Sequence, residues 1–195
     1  MAYLADHGYP VPHVRAPASG VPGAVRRTDL MMQRLHGPSM LQALLRGTIT
    51  PEAAGLRLAG LLHRLHSIPA RVSAEPTDRV LHLDLHPGNV MLTSQGPVVI
   101  DWRNTEEGPP GLDWGMSALV LGQVAADTTA QAAPARAVLT SLLAHLGPAV
   151  VLGSADTGCL SQAREKRAAD PATSKSEMRL LDDAMELVLE LRQLL

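Results

Sequence analysis

The sequence predicts an α+β domain, mostly helical, with a small β-hairpin near its middle. Three observations lead there. Leu58, Leu61, Leu62 and Leu65 fall at i, i+3, i+4 and i+7, one face of a helix. Two short β-prone runs, 90–93 and 97–100, flank Ser94-Gln95-Gly96, a hairpin signal. The chain has 195 residues, 46% of them hydrophobic and 18% charged, enough for one packed core that needs no covalent staples.

Taken in order, residues 1–7 are a short opening segment, and Gly8, Pro10 and Pro12 stop any helix there. Residues 17–23 form a turn-rich loop. The apolar run 29–35 reads as a strand or the start of a helix, and Gly37-Pro38-Ser39 breaks it. Residues 40–46 read as a short helix ended by Gly47. Thr50 suits the cap of the next helix and Pro51 its first position, where no N–H is needed; Pro69 ends it. Residues 80–85 alternate, with Val80, Leu81, Leu83 and Leu85 around His82 and Asp84. After the hairpin, 112–126, 130–146 and 177–195 read as helices, and the polar stretch 153–176 as a partly helical loop or mobile segment. The longest uncharged run, 137–155, carries Gly147-Pro148, so it reads as a helix, a break and a second apolar stretch.

Charge and cysteine content narrow the function. Seventeen basic against nineteen acidic residues give a net charge of -2, which argues against a sequence-independent nucleic-acid binder. One cysteine, Cys159, excludes an intramolecular disulfide and a cysteine-rich zinc site. Residues 1–10 lack the basic and apolar regions of a secretory signal. The expectation is a soluble cytoplasmic protein with neither nucleic acid nor membrane as a partner. Arginine almost replaces lysine, which occurs only at Lys166 and Lys175, and this fits a GC-rich bacterial genome.

The chemistry concentrates in His82-Leu83-Asp84-Leu85-His86-Pro87-Gly88-Asn89 and in Ile100-Asp101-Trp102. A tight hairpin brings its strand ends together, so Asn89 and Asp101 are expected to be neighbours. An amide oxygen and a carboxylate at close range suit a hard cation such as Mg2+. Asp84, five residues before Asn89, then faces the same cavity without binding the metal. Phosphoryl transfer needs this arrangement: a metal to neutralise phosphate charge and a separate carboxylate to orient the attacking hydroxyl.

The pattern His-x-Asp-x-x-x-x-Asn followed after a hairpin by Ile-Asp-Trp resembles the aminoglycoside phosphotransferase family, which has the protein-kinase-like fold. Further segments share the resemblance: Gly8-Tyr9-Pro10-Val11-Pro12, Leu30-Met31-Met32-Gln33-Arg34-Leu35 with Gly37-Pro38-Ser39-Met40, Leu65-His66-Ser67-Ile68-Pro69, and Gly108-Pro109-Pro110-Gly111-Leu112-Asp113-Trp114. It implies a C-terminal kinase-like lobe over 37–195, with a central catalytic loop and hairpin, and a remnant of N-lobe and hinge over 1–36. It implies an ATP- and Mg2+-dependent phosphotransferase acting on a hydroxyl of a small molecule. Asp84 is then the catalytic base, and Asn89 and Asp101 are the metal ligands. Met91 and Ile100 form the apolar floor under the adenine, and backbone groups of Gln33 to Leu35 meet its edge. Asp113 is implied as a carboxylate that holds the catalytic loop, and His82 as a loop-positioning residue.

The resemblance also implies a lysine–glutamate pair in the N-lobe, which this chain lacks: no lysine precedes Lys166 and no glutamate precedes Glu52. The cluster Gly20-Val21-Pro22-Gly23 is too short for a nucleotide-covering loop. A truncated gene, a misplaced start codon and a fragment would all look like this, and the chain is expected to be a poor or inactive catalyst.

Other readings stand beside this one. The chain can be a non-catalytic remnant that binds a ligand or partner. His82, Asp84 and His86 can form an H-x-D-x-H metal site of a hydrolase, with His63 and His66 adding ligands, although helix histidines are more often surface or capping groups. Asp113 can cap the helix that follows. Glu106 and Glu107 can attract a cationic substrate or form an exposed acidic turn. Met31, Met32, Met40, Met91 and Met116 suit core gap-filling. Cys159 reads as inert, and Arg164 to Arg167 as a solvated helix face.

Overall fold

Thr50 and Pro51 start the longest of the early helices as the sequence predicts. The Thr50 side chain accepts the Ala53 N–H at 3.2 Å, and the helix, α3, runs Pro51–His66. Ser39 caps the short helix before it, α2 (Met40–Leu45), in a reciprocal arrangement with Gln42. The structure, a computed structural model, describes residues 1–15, 31–148, 150–153, 157–171 and 173–195. It is α+β, about half helical, and its described sheets are three antiparallel pairs of strands.

The first elements are α1 (Ala2–Asp6) and the pair β1 (Val14–Arg15) and β2 (Met31–Met32). After α2 and α3 come β3 (Arg79–Leu81), the hairpin β4 (Val90–Thr93) and β5 (Gly96–Val99), and β6 (Glu106–Gly108). The remainder is helical: α4 (Pro110–Ala126), α5 (Ala132–Ala144), α6 (Cys159–Ala169), α7 (Lys175–Arg179) and α8 (Leu181–Gln193). Helix α4 is the centre of the body, packing on α5, α6 and α8, while α3 packs on α5. One core joins them, with Leu58, Leu62, Leu119, Leu139, Leu142 and Val188 fully buried. The leading segment shares that core through Leu4, Tyr9 and Val11. It is tied down by the Tyr9 hydroxyl donating to the Leu61 carbonyl at 3.2 Å and by Arg64 donating to the Gly8 carbonyl at 3.0 Å.

Several expectations change in detail. The alternating run 80–85 is a strand only to Leu81, because Leu83 takes the left-handed conformation at φ 62° and ends the extended chain. That strand pairs with β6, in the register Val80 opposite Glu107, a pairing that the Glu-Glu-Gly sequence does not announce. The hairpin turn is the two residues Ser94-Gln95, with Gly96 already opposite Thr93 and Ile100 beyond the last paired residue. Within 153–176 lies a regular helix, α6, and the expected last helix is two, α7 and α8, meeting at Leu180. The loop 17–23, its glycine cluster and the first two residues of the run 29–35 lie outside the described residues. Met40 and Met116 are buried as gap-fillers, but Met31 and Met32 are 43% and 48% exposed. No helix among the described residues is long and apolar enough to cross a membrane.

Two close approaches lock the hairpin to the rest. Pro10 accepts the Val99 N–H and Pro38 accepts the Leu92 N–H, both at 2.8 Å, so the chain on either side of β1 and β2 docks on β4 and β5. Gly37 makes the second approach possible: its φ is 137°, and a Cβ there would overlap the Leu92 carbonyl oxygen. Gly37→Ala is expected to destabilise the fold by about 1–3 kcal/mol through backbone strain alone, more with the overlap. A lowered denaturant midpoint checks this, and an unchanged midpoint refutes it.

Candidate active site

Asp113, in the first turn of α4, is fully buried and organises the loop that carries Asp84. One carboxylate oxygen accepts the Leu83 N–H at 2.7 Å; the other accepts the His82 N–H at 2.9 Å and faces His66 Nε2 at 3.0 Å. Burial by itself pushes this carboxyl up, but the hydrogen bond and charge of His66 and the His82 N–H outweigh it and hold Asp113 below the usual carboxylate value. Asp113 does not cap α4, whose N-cap is Pro109; it matches the loop-holding role.

His82 is held from both sides. Its Nδ1 accepts the Asp84 N–H at 3.2 Å and its Nε2 donates to the Ile100 carbonyl at 2.9 Å. An amide can only donate and a carbonyl can only accept, so the ring is the neutral Nε2–H tautomer. With both nitrogens used, His82 has none left for a metal. His86 spends Nδ1 on the Gly88 N–H at 3.1 Å, and its Nε2 lies 3.9 Å from Asp84. Its ring lies where a Cβ at Gly88 would be, which explains the glycine. Burial disfavours the charged form of His86, against the opposing pull of Asp84. The hydrolase arrangement of His82, Asp84 and His86 therefore fails, and no group of three or more His, Cys, Asp or Glu among the described residues suits a metal. His63 is an exposed group whose Nε2 bonds the carbonyl of His145, the residue that ends α5, at 2.8 Å, whereas His66 is neither surface nor cap and pairs with Asp113.

Asn89 and Asp101 come together as the hairpin requires. The Ile100 N–H donates to the Asn89 carbonyl at 3.0 Å, which sets Asp101 next to Asn89 across the strand ends. Asn89 is buried, and its Nδ2 donates to the Asp84 carbonyl at 2.9 Å and to Asp84 Oδ2 at 3.1 Å. The Asp84 carbonyl accepts only, so the amide orientation is fixed and Oδ1 is the free end. Asp101 is left-handed at φ 62°, ψ 64°, exposed, and its carboxylate accepts no hydrogen bond from a described residue. One amide oxygen and one unspent carboxylate at adjacent positions fit a hard divalent cation. Asp84 is 21% exposed at its side chain, and its Oδ1 meets no hydrogen-bond donor among the described residues.

The apolar candidates share a surface. Val90 and Val99, paired across the hairpin, are fully buried, so Met91, its partner Val98 and Ile100 occupy the opposite, half-exposed face. Val98 was not singled out by the sequence, although its strand position is signal enough. Gln33 spends its N–H on the His13 carbonyl at 2.8 Å, leaving its carbonyl for other partners, and Leu35 is half-buried with no described hydrogen bond.

The acidic and basic candidates are otherwise engaged. Glu107 accepts the N–H groups of Arg71, Val72 and Ser73 at 2.7, 2.8 and 2.6 Å, and these bonds hold its carboxyl below the usual range. Glu106 takes two bonds of 2.8 Å from Lys166. Neither is a free acidic turn. The 164–167 segment keeps its solvated side, with Glu165 exposed, and adds ion pairs from Arg164 to Asp182 and from Arg167 to Glu177. Burial raises the Cys159 thiol, which fits its inert reading.

Asp113→Asn takes the anionic acceptor from all three donors and turns an amide NH2 toward at least one of them. The expected cost is about 2–5 kcal/mol in unfolding free energy. Because the folded value lies below the ordinary 3.8, the wild-type stabilisation is complete above about pH 4 and is lost as pH falls through the folded value. Denaturant midpoints taken from about pH 5 to about pH 2.5 check both: the variant is expected to start lower and fall less, and parallel curves count against the assignment.

Comparison with known proteins bears on this geometry. No curated protein matches the chain. Residues 68–151, from just after α3 to just after α5, match the model of the phosphotransferase enzyme family. That segment contains Asp84, Asn89, Asp101 and Asp113. The resemblance read from the loop and hairpin therefore holds: over residues 68–151 the chain is similar to the phosphotransferase enzyme family.

Proposed function

We propose that the site transfers a phosphoryl group from ATP to a hydroxyl of a small molecule. One observation carries the reading. Asn89 is clamped to Asp84 through Nδ2, which leaves Oδ1 as its other end, and the strand closure at Asn89 and Ile100 brings the backbone of Asp101, whose carboxylate has no hydrogen bond from a described residue, to the same end of the hairpin. The two oxygens are the Mg2+ ligands, and the ion, when bound, neutralises phosphate charge. Asp84, fixed by the same clamp, orients the acceptor hydroxyl and takes its proton. Met91 and Ile100 lie under the adenine, and the Gln33 carbonyl with the Leu35 backbone meets its edge. On this reading residues 37–195 are the kinase-like lobe and 1–36 belong to the hinge and N-lobe.

Calorimetry of Mg2+-ATP on the 195-residue chain tests the site. Binding is expected for the wild type and is expected to be lost in Asp101→Ala; equal binding by a folded Asp101→Ala refutes the metal role. Asp84→Asn is expected to keep Mg2+-ATP binding and to lower phosphoryl transfer by about 10²–10⁴, the usual worth of a general base. Equal turnover would remove Asp84 from the chemistry.

A second reading, a kinase-like remnant that binds without turning over, is favoured by the absence of any lysine before Lys166. Phosphoryl transfer by this class of site uses such a lysine on the phosphates. The chain by itself is accordingly expected to transfer phosphate far below the roughly 1–100 s⁻¹ of intact kinases. A coupled assay of ADP release checks this, and a rate inside that range would overturn both the remnant reading and the need for the lysine.

A further inference from the structure

A cavity of about 360 Å³ opens between the Asp84 loop and α6, within the size range of small-molecule sites. Leu83, the residue before Asp84, and Met116 supply apolar lining, and Arg103, Lys166 and Arg167 supply positive charge. None of the hairpin residues assigned to the nucleotide lines it.

The charges around this cavity are not equally available. Lys166 is neutralised by both oxygens of Glu106, and Arg167 is spent on Glu177 and on the Gln123 side chain. Asp170, at the rim, also has a partner. Arg103 is different: it is exposed, and its guanidinium meets no acceptor among the described residues. The backbone turn that carries it is anchored. Arg103 lies in the short turn Trp102–Asn104, and Trp102 anchors that turn by donating its ring N–H to the Val99 carbonyl at 2.9 Å. Arg103 is thus the lining cation without an acceptor among the described residues, while both lining carboxylates, Glu106 and Asp170, are engaged.

We propose that this cavity binds an anionic small molecule through the Arg103 guanidinium. Resting on the phosphotransferase reading above, that molecule is the acceptor: an alcohol bearing a carboxylate or phosphate group, not a polycationic amino sugar. A guanidinium fork is suited to either anion. Asp84 is not itself in the lining but follows Leu83, which is, so an acceptor held on Arg103 would extend past Leu83 to bring its hydroxyl to Asp84. The acceptor O–P bond forms as the bond from the γ-phosphorus to the β–γ bridging oxygen breaks, the hydroxyl proton passes to Asp84, and ADP leaves.

Calorimetry on the 195-residue chain tests this with four probes: glycerate, glycerol 3-phosphate, glycerol and 2-deoxystreptamine. Glycerate or glycerol 3-phosphate is expected to bind, and the tighter of the two identifies the anion; glycerol and 2-deoxystreptamine are not. Arg103→Gln is expected to weaken binding about tenfold or more, the loss of a charge-assisted hydrogen bond. Arg103→Lys is expected to retain part of it, and Arg136→Gln, which alters an exposed pair with Glu190, all of it. Failure of both anions to bind the folded wild type, equal binding by Arg103→Gln, or tighter binding of 2-deoxystreptamine overturns the proposal. The Mg2+-ATP titration separates the two readings. Anion binding without Mg2+-ATP binding leaves the Arg103 site standing and removes the phosphotransferase reading. Mg2+-ATP binding with no anion binding does the reverse.

Discussion

The loop that carries Asp84 depends on one buried charge. A carboxylate without exposure is costly unless it is paired and hydrogen-bonded. Asp113 meets that condition with two consecutive backbone N–H groups and one imidazole, drawn from the loop and from α3. The arrangement works in both directions. The donors make the charge tolerable, and the charge holds His82 and Leu83 in a path that local sequence would not choose. Everything downstream follows from that path: the His82 ring reaches the Ile100 carbonyl, and the Asp84 carbonyl turns to the Asn89 amide.

Among the described residues two non-glycines take left-handed backbone, Leu83 and Asp101, and both adjoin the candidate chemistry. Aspartate tolerates that region better than leucine, whose strain is of the order of 1–3 kcal/mol. The Leu83 N–H bond to Asp113 and its buried side chain provide the compensation. Strain at Leu83 turns the chain so that Asp84 departs from the line of β3. At Asp101 the same backbone conformation releases the carboxylate from the hairpin and starts the turn that carries Arg103.

Much of this was legible in the sequence, and the pattern of success has a physical basis. Thr50-Pro51 and the hairpin are local signals, read within a few residues, and they hold. Hairpin closure carries on past the paired strands to Asn89 and Ile100, one residue short of Asp101. What escaped was pairing at long range. The β3–β6 ladder joins residues with no shared pattern, one strand being Glu-Glu-Gly. The His66–Asp113 pair spans 47 positions, and no local rule links a histidine at the end of one helix to an aspartate in the first turn of another. The acidic residues Glu106 and Glu107 were misread for the same reason, since their partners lie at Lys166 and at 71–73.

The separation of those partners along the chain has a consequence for assembly. The Asp84 loop has little structure of its own to nucleate it; its anchors lie 30 and 31 residues later, and the anchor's own counterpart lies 47 residues before that carboxylate. Closing such distances costs entropy before any contact repays it. The loop therefore takes shape only once α3 and α4 have met. The anchorage of His82 and Leu83 is thereby coupled to the core, and a chain that has not brought α3 and α4 together lacks it.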